Sequence, residues 1–203
     1  GTCGRFVGRF KSGDTRCMKR LFDLIVVFVA GIIFAIPMAL VAIAVWLSSK
    51  GPMLYWSKRV GKENVLFDMP KFRTMQVETP VLPTHLLGNP DAYLTPIGSF
   101  LRKSSLDELP QLWCILRGDM SVVGPRPALS NQQDLIDART TKGIQVLKPG
   151  LTGWAQVNGR DEIPLEKKVQ LDYEYLDKKS LIFDVYVVLL TFYKVVKREG
   201  IQH

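Results

Sequence analysis

Histidine and cysteine are scarce in this chain of 203 residues, and their scarcity excludes several kinds of site. The two histidines, His85 and His203, lie far apart, so neither a histidine-based triad nor a zinc hydrolase is indicated. Cys3, Cys17 and Cys114 are too few and too scattered for a disulfide framework or a zinc site, and they fit a reducing compartment. The GxSxG pattern of serine hydrolases and the GxxxxGK[ST] pattern of P-loop proteins are also absent.

Acidic residues are fewer than basic residues. Lysine and arginine number 27 against 19 aspartates and glutamates, which gives a net charge of +8. This charge favours anionic partners such as phosphates and anionic membrane lipids. No nucleic-acid-binding motif accompanies it, so we do not expect a nucleic-acid partner. A hydrophobic share of 47% and a mean hydropathy of +0.08 exclude a disordered chain and indicate a concentrated apolar segment.

That segment is residues 21–47, whose only ionisable group is Asp23. It is long enough to enter a bilayer. Pro37 lies inside it and removes a backbone donor, so we expect a kink or a break between Ile33 and Pro37. The helical arms before and after Pro37 would be about 24 and 15 Å long, and each is shorter than the ~30 Å hydrocarbon core.

Basic residues flank the apolar segment on both sides: Arg16, Lys19 and Arg20 precede it, and Lys50, Lys58, Arg59 and Lys62 follow it. The positive-inside rule therefore draws both ends toward the cytoplasm. We predict that residues 16–50 form a re-entrant anchor of the helix–break–helix type, with Pro37 at the break. A helix that spans the bilayer and a buried core helix are the alternatives.

The remaining sequence divides into a leader and a cytoplasmic body. Residues 1–15 are rich in glycine and basic side chains, and we expect a disordered leader or an expression remnant. Residues 51–203 predict a small α+β domain, mainly α-helical, with a short sheet and with amphipathic helices lying on the membrane surface. Its expected parts are extended runs at 53–61 and 64–75, the second interrupted by Pro70, and helices at 97–116, 128–143 and from 165 onward. A loop at 77–91 is expected to be either a mobile flap or a segment that lies along the surface. The C-terminal apolar run 185–193 fits either an interfacial helix or a core helix.

The densest group of polar residues surrounds Asp107 and Glu108, which we call the acidic pair. Ser105 and Glu108 have the spacing of a capping box, and Pro110 is tolerated only near a helix start. Both signals place the acidic pair in a first helical turn. Capping alone would explain the pattern without any catalytic role.

The basic neighbours of the acidic pair favour phosphate chemistry. Arg102 precedes it, and Arg126 follows between Pro125 and Pro127. Two carboxylates among arginines suit a Mg²⁺-assisted reaction at phosphorus, because Mg²⁺ binds one or two carboxylates together with substrate phosphates. A surface ion pair is the alternative for Arg126. Lys71 and Arg73, spaced i and i+2, would point to one side of a strand.

At these motifs the sequence resembles the bacterial monotopic phosphoglycosyl transferases, in their minimal form. These enzymes transfer a sugar 1-phosphate to a polyprenyl phosphate and so begin glycan assembly. The resemblance covers about residues 19–196, and its strings are KRLFDL, GP at 51–52, KRVG, KFRTM, LTPIGSFLRKSSLDELPQLW, LRGDMSVVGPRP, KPGLTGWAQVNGR and SLIFDV. Cys114 and Ser57 depart from the family pattern, which has asparagine and glutamine there.

The resemblance implies a ping-pong reaction in which Asp107 attacks the sugar-bearing phosphate of a UDP-sugar and UMP is lost. Asp107 would also hold Mg²⁺, Glu108 would be its acidic partner, and the phosphosugar would pass to polyprenyl (undecaprenyl) phosphate. Arg126, with Pro125 and Pro127, would contact the nucleotide or a phosphate. Lys71, Arg73 and Arg102 would be phosphate or structural partners.

The resemblance also implies a location and a substrate class. The catalytic domain would lie on the cytoplasmic face of the bacterial inner membrane, and the sugar would be an N-acetylated hexosamine or a derivative. A membrane-anchored basic module that binds lipids or serves as a scaffold, without catalysis, is the alternative function.

Overall fold

The computed structural model describes residues 12–76, 79, 93–159 and 163–197. The predicted loop 77–91, apart from Thr79, lies outside these residues, as does most of the predicted leader. The described part is mainly α-helical and contains two separate two-stranded sheets, so the predicted α+β class is confirmed, with two small sheets instead of one.

The α-helices are α1 (Ser12–Ser48), α2 (Gly98–Ser104), α3 (Leu112–Arg117), α4 (Gln133–Thr141), α5 (Trp154–Val157), α6 (Leu165–Lys178) and α7 (Leu181–Lys197). The strands are β1 (Leu54–Val60), β2 (Leu66–Phe72), β3 (Ser121–Val123) and β4 (Gly150–Thr152). Short 3₁₀ helices cover Lys62–Asn64, Leu106–Gln111 and Ile144–Val146. The predicted helix 128–143 is shorter at both ends, and the helix expected from 165 is confirmed as α6.

Helix α1 is continuous, with Pro37 inside it. The structure therefore shows no break in the helix at Pro37, whereas the kink predicted there stays a prediction. A single proline removes one backbone donor, and a helix can continue through it with a bend. Within the described residues, α1 is the one helix that is long and apolar enough to cross a membrane.

Both halves of α1 pack against the same body, whereas its middle does not. Val27 joins a core cluster with Phe67 of β2, and Val45 joins a second cluster with Phe72 at the end of the same strand. Residues 32–36 are exposed on every side of the helix. The alternative of a buried core helix is thus excluded, because a core helix would be covered along its length.

Polar contacts fix both ends of α1. Near the start, the Arg20 guanidinium donates to the carbonyl oxygens of Ile115 and Leu116 at 2.5 and 2.6 Å. Beyond the other end, the Arg73 guanidinium donates to the carbonyl oxygens of Lys50 and Ser49 at 2.9 and 2.8 Å. Arg73 therefore holds the exit of α1.

A buried ionic network adds to the attachment at the start of α1. Lys19 Nζ lies 3.2 Å from Asp23 and 2.8 Å from Asp184 of α7. Asp23 also accepts hydrogen bonds from Ser121 Oγ and the Val122 amide of β3. The cation and the donors compensate the two buried carboxylates, which would otherwise be costly to desolvate.

Strands β1 and β2 form an antiparallel hairpin in which Pro70 lies opposite Trp56. The interruption predicted at Pro70 does not occur, because each strand of a two-stranded sheet is an edge strand that tolerates a missing donor. β2 packs against the 3₁₀ helix Leu106–Gln111, and so sets the position of the acidic pair.

Strands β3 and β4 are parallel, and three glycines allow the chain that follows β3 to lie against β4. A Cβ atom on Gly124 would collide with the Lys148 carbonyl oxygen. One on Gly150 would collide with the Gly124 nitrogen, and one on Gly153 with the Gly124 oxygen. The backbones are thus closer than any side chain permits.

Helix α7 packs as a core helix on one face, and its position at a membrane interface stays a prediction. Val187 and Asp184 are buried against the body. The opposite face exposes a set of large apolar side chains, namely Ile182, Val185, Tyr186, Leu189, Phe192 and Tyr193. The helix is therefore a core element on one face and an apolar surface on the other.

Candidate active site

The acidic pair lies on a 3₁₀ helix that a backbone turn at Ser105 separates from α2. Ser105 has φ 57° and ψ 16°, so the helix predicted for 97–116 divides there. The Ser105 side chain makes no capping hydrogen bond, and its carbonyl oxygen accepts from the Glu108 amide at 3.2 Å. The first-turn position of the acidic pair is confirmed, and the capping box is wrong because the Glu108 carboxylate has other partners.

Those partners are two cations from distant parts of the chain. Glu108 Oε1 accepts from Lys71 Nζ of β2 at 2.8 Å and from Arg126 Nη2 at 3.3 Å. The Glu108 side chain is 13% exposed, which strengthens both interactions relative to a surface pair. Arg126 is thus in an ion pair, and that pair belongs to the site.

Asp107 is buried and differs from Glu108 in its surroundings. Burial is the largest cause that raises the pKa of its carboxyl, and the negative charge of Glu108 also raises it. The positive charges of Lys71 and Arg102 lower the pKa in part. Within the described residues the Asp107 carboxylate has no side-chain hydrogen bond or ion pair.

A buried carboxylate without a side-chain partner suits a bound cation. The described residues contain no group of three or more histidine, cysteine or acidic side chains that could hold a metal. Mg²⁺ does not need such a group, because substrate phosphates and water complete its six oxygen ligands. Asp107 therefore fits as a Mg²⁺ ligand, whereas the Glu108 carboxylate already forms ion pairs with Lys71 and Arg126.

The remaining predicted binding residues separate into two locations. Arg102 Nε donates to Thr74 Oγ1 at 3.1 Å, and its charge acts on Asp107. Arg73 lies at the exit of α1 and is not brought to the acidic pair. Lys71 and Arg73 do not share a direction because β2 ends at Phe72, so strand alternation does not extend to Arg73.

Hydrogen bonds fix the backbone on which Arg126 is carried. The carbonyl oxygen of Arg126 accepts from Arg139 Nη1 at 2.8 Å, and that of Pro125 accepts from the Gly150 amide at 2.9 Å. The carbonyl oxygen of Pro127 lies 3.4 Å from Arg59 Nη1. Pro125 and Pro127 thus contribute a stiff, anchored backbone around Arg126.

Arg139 belongs to a buried pair that was not predicted from the sequence. Its Nε and Nη2 atoms donate to Asp172 Oδ2 at 3.0 and 2.6 Å, and the two residues are 8% and 2% exposed. One signal was available: Asp172 lies on the same face of α6 as buried Val169 and Tyr175, three residues away on either side.

A shallow cleft opens beside Glu108. Its described lining consists of Arg59, Met69, Lys71, Glu108, Gln111, Arg126, Pro127, Gly150 and Leu151. Three of these side chains are cationic and one is a carboxylate, so the cleft suits an anion such as a diphosphate. Arg59 and Gln111 were not predicted as site residues. Arg59 appeared only among the basic residues flanking the apolar segment.

The described residues thus combine an acidic pair, convergent cations and a fixed PRP segment with a helix that is long and apolar enough to cross a membrane. The family model for bacterial sugar transferases matches residues 14–198. The chain belongs to this family, which confirms the resemblance found in its motifs.

Three similar proteins carry names that bear on function. The chain is 39% identical over 193 residues to the UDP-glucose:undecaprenyl-phosphate glucose-1-phosphate transferase of Escherichia coli (strain K12), covering 90% of this chain and 41% of the relative. It is 34% identical over 205 residues to the undecaprenyl-phosphate galactose phosphotransferase of Salmonella typhimurium, covering 92% and 42%. It is 40% identical over 186 residues to the uncharacterized sugar transferase EpsL of Bacillus subtilis (strain 168), covering 91% and 90%. The chain thus spans about two fifths of the two enterobacterial relatives and nine tenths of the third.

Proposed function

We propose that this protein is a phosphoglycosyl transferase that moves a sugar 1-phosphate from a UDP-sugar to undecaprenyl phosphate. The observation that carries the proposal is the acidic pair: Glu108 is held by Lys71 and Arg126, beside a buried Asp107 whose carboxylate has no side-chain partner. The names of the Escherichia coli and Salmonella relatives support the acceptor and the reaction type.

In the first step, an Asp107 carboxylate oxygen attacks the sugar-bearing phosphorus of the donor. The bond between that phosphorus and the oxygen bridging the two phosphates breaks, and UMP leaves with the electron pair. In the second step, a phosphate oxygen of the acceptor attacks the same phosphorus and releases Asp107. Each step replaces one phosphorus–oxygen bond by another, so the cycle needs no oxidant or reductant.

The neighbouring residues prepare the nucleophile and the phosphate. Glu108 positions Lys71 and Arg126, whose charges would face the anionic donor. Mg²⁺ held by Asp107 would neutralise charge on the donor phosphates. Any cation bound there would also oppose the effect of burial and lower the pKa of Asp107, which favours the ionised nucleophile.

The sugar is proposed at the level of a hexose. The Escherichia coli relative is named for glucose and the Salmonella relative for galactose. An N-acetylated hexosamine stays a prediction, since no residue in the cleft is assigned to an acetamido group. Donor competition among UDP-glucose, UDP-galactose and UDP-N-acetylglucosamine, scored by kcat/KM, would identify the preferred sugar.

We further propose that α1 is a re-entrant anchor in the bacterial inner membrane, with both ends and the catalytic body on the cytoplasmic face. Arg20 and Arg73 attach the two ends of α1 to one folded body, and a bilayer-spanning helix would place those ends on opposite faces. Residues 32–36, apolar and exposed, would form the membrane-inserted apex. The exposed apolar face of α7 would lie at the interface, with Lys194 and Lys197 near anionic lipid phosphates.

Labelling from one side of the membrane tests the anchor. A single-cysteine variant that retains Cys17 and one that carries Lys50→Cys should react with an impermeant maleimide to the same extent as each other. Both should react in inside-out vesicles, whose outer surface is the cytoplasmic face, and neither should react in right-side-out vesicles of matched composition. Reaction of the two positions from opposite sides would establish a spanning helix instead.

The reaction is tested with the purified full chain, a radiolabelled UDP-hexose and Mg²⁺. Donor alone should release one equivalent of UMP and add the mass of a hexose phosphate to the protein, and Asp107→Asn should abolish both. Adding undecaprenyl phosphate should transfer the label to lipid. Vesicle binding without UMP release from any UDP-sugar would favour the alternative lipid-binding module.

A further inference from the structure

Gln111 is a polar residue on the wall of the cleft, and its side chain has no hydrogen-bond partner within the described residues. It is the last residue of the 3₁₀ helix Leu106–Gln111 and is 3% exposed. Within the described residues its side-chain amide makes no hydrogen bond, yet its atoms are not among the fully buried polar atoms that lack a partner. The amide therefore keeps a small accessible area, and the residue lies on the wall of the cleft. An accessible amide that bonds no described protein group is available to a bound molecule.

The geometry of the 3₁₀ helix places Gln111 next to the charged centre of the site. With three residues per turn, side chains at i and i+3 lie on the same side of a 3₁₀ helix, so Gln111 and Glu108 share one side. Both residues line the same cleft as Lys71 and Arg126, which are the partners of Glu108. The Gln111 amide is thus beside the cations that would face a phosphate.

We propose that Gln111 is a donor-binding residue whose amide hydrogen-bonds an oxygen of the sugar 1-phosphate group in this cleft. The inference rests on the proposed phosphoglycosyl transferase activity. A primary amide offers two donors and an acceptor, which suits phosphate oxygens and sugar hydroxyls. It adds no charge, so it orients the group without competing with Asp107 for the cation.

Gln111→Met tests this role because methionine has a similar length and no amide. Removing an amide that bonds no described protein group should leave the melting temperature close to that of the wild type. The same change should lower kcat/KM for the donor about 10- to 100-fold, as expected for the loss of a hydrogen bond to a charged group. Gln111→Glu, of the same shape but negative, should lower it further.

Gln133→Met is the matched control. Gln133 lies on α4, is solvent-exposed and bonds to Asp137, so the substitution should change neither the melting temperature nor kcat/KM by more than about twofold. All variants are compared by thermal unfolding and by UMP release from donor alone, which isolates the first step from acceptor binding.

The outcomes separate this inference from the activity on which it rests. If the wild-type protein releases no UMP from any UDP-sugar, the proposed activity fails. If the wild type releases UMP and Gln111→Met does so with unchanged kcat/KM, the donor contact is wrong while the activity stands. A marked fall in melting temperature, or failure to fold, would also overturn the inference, since it would show that the amide supports the fold.

Discussion

The buried pair of Arg139 and Asp172 allows stability and activity to be separated by substitution. Arg139 serves two groups at once: it neutralises Asp172 and it donates to the carbonyl oxygen of Arg126. We therefore expect Arg139→Met to lower both stability and activity, and a second substitution at Asp172 to restore only the first.

The size of the stability effect follows from burial. Asp172 is 2% exposed, so without Arg139 it would be an uncompensated buried charge. Breaking such a pair costs about 3–5 kcal/mol. At about 2–4 °C per kcal/mol for a domain of this size, the melting temperature of Arg139→Met should fall by about 6–20 °C. Replacing both members, as Arg139→Met with Asp172→Leu, should recover most of the loss because apolar side chains can replace a buried ion pair.

Activity should not recover in the double variant. The carbonyl oxygen of Arg126 would still lack its donor, so the guanidinium would be held less firmly against Glu108. Loss of positioning at this distance should lower kcat/KM about tenfold or more in both variants.

Thermal unfolding and UMP release, the latter measured well below the lowest melting temperature, would check the prediction. Lys58→Met is the control, because the Lys58–Asp68 pair is exposed and should be worth no more than about 1 kcal/mol. A double variant with wild-type activity would refute the assigned link between Arg139 and Arg126. A single variant as stable as the control would refute the buried-charge argument.

The remaining predictions concern titration and reactivity. Burial raises the pKa of Asp107 in the folded state. The contribution of Asp107 to stability is therefore greatest below its unfolded-state pKa and is lost as the pH rises through its folded-state pKa. Asp107→Asn should accordingly raise the melting temperature at pH 7 while abolishing transfer. Lys71 lowers the pKa of Asp107, so Lys71→Met should move the acid limb of the pH–rate profile to higher pH. Glu108 raises that pKa, so Glu108→Gln should move the acid limb to lower pH. Identical acid limbs in the two variants and the wild type would contradict this. Burial raises the pKa of the Cys114 thiol to about 11, so at pH 8 it should resist a maleimide that rapidly labels exposed Cys17, as mass spectrometry would show.

Local patterns in the sequence located the reactive group but not its contacts. The acidic pair was predicted in a first helical turn, and the structure places it there, because serine, acid and proline signals act over a few residues. The same signals predicted that Glu108 would cap its own helix. Instead Lys71 and Arg126 take its carboxylate, since an ion pair in a partly buried site outweighs one capping bond.

Local sequence patterns could not predict the contacts between segments that are distant in the chain. Arg139 and Asp172 lie on different helices, and neither helix by itself shows what its charged residue meets. Arg73 was grouped with Lys71 by spacing, although the strand ends between them and the side chain turns to the exit of α1.

The contact of Gly124 with Gly150 and Gly153 has a consequence for protein engineering. The strings GPRP and PGLTG begin 25 residues apart in the sequence, yet their backbones pack directly against each other. Each string therefore needs the other to keep its conformation. If GPRP alone were grafted onto another scaffold, Arg126 would lack the PGLTG backbone that fixes its orientation. Chimaeras between sugar transferases should therefore exchange both strings together, or neither.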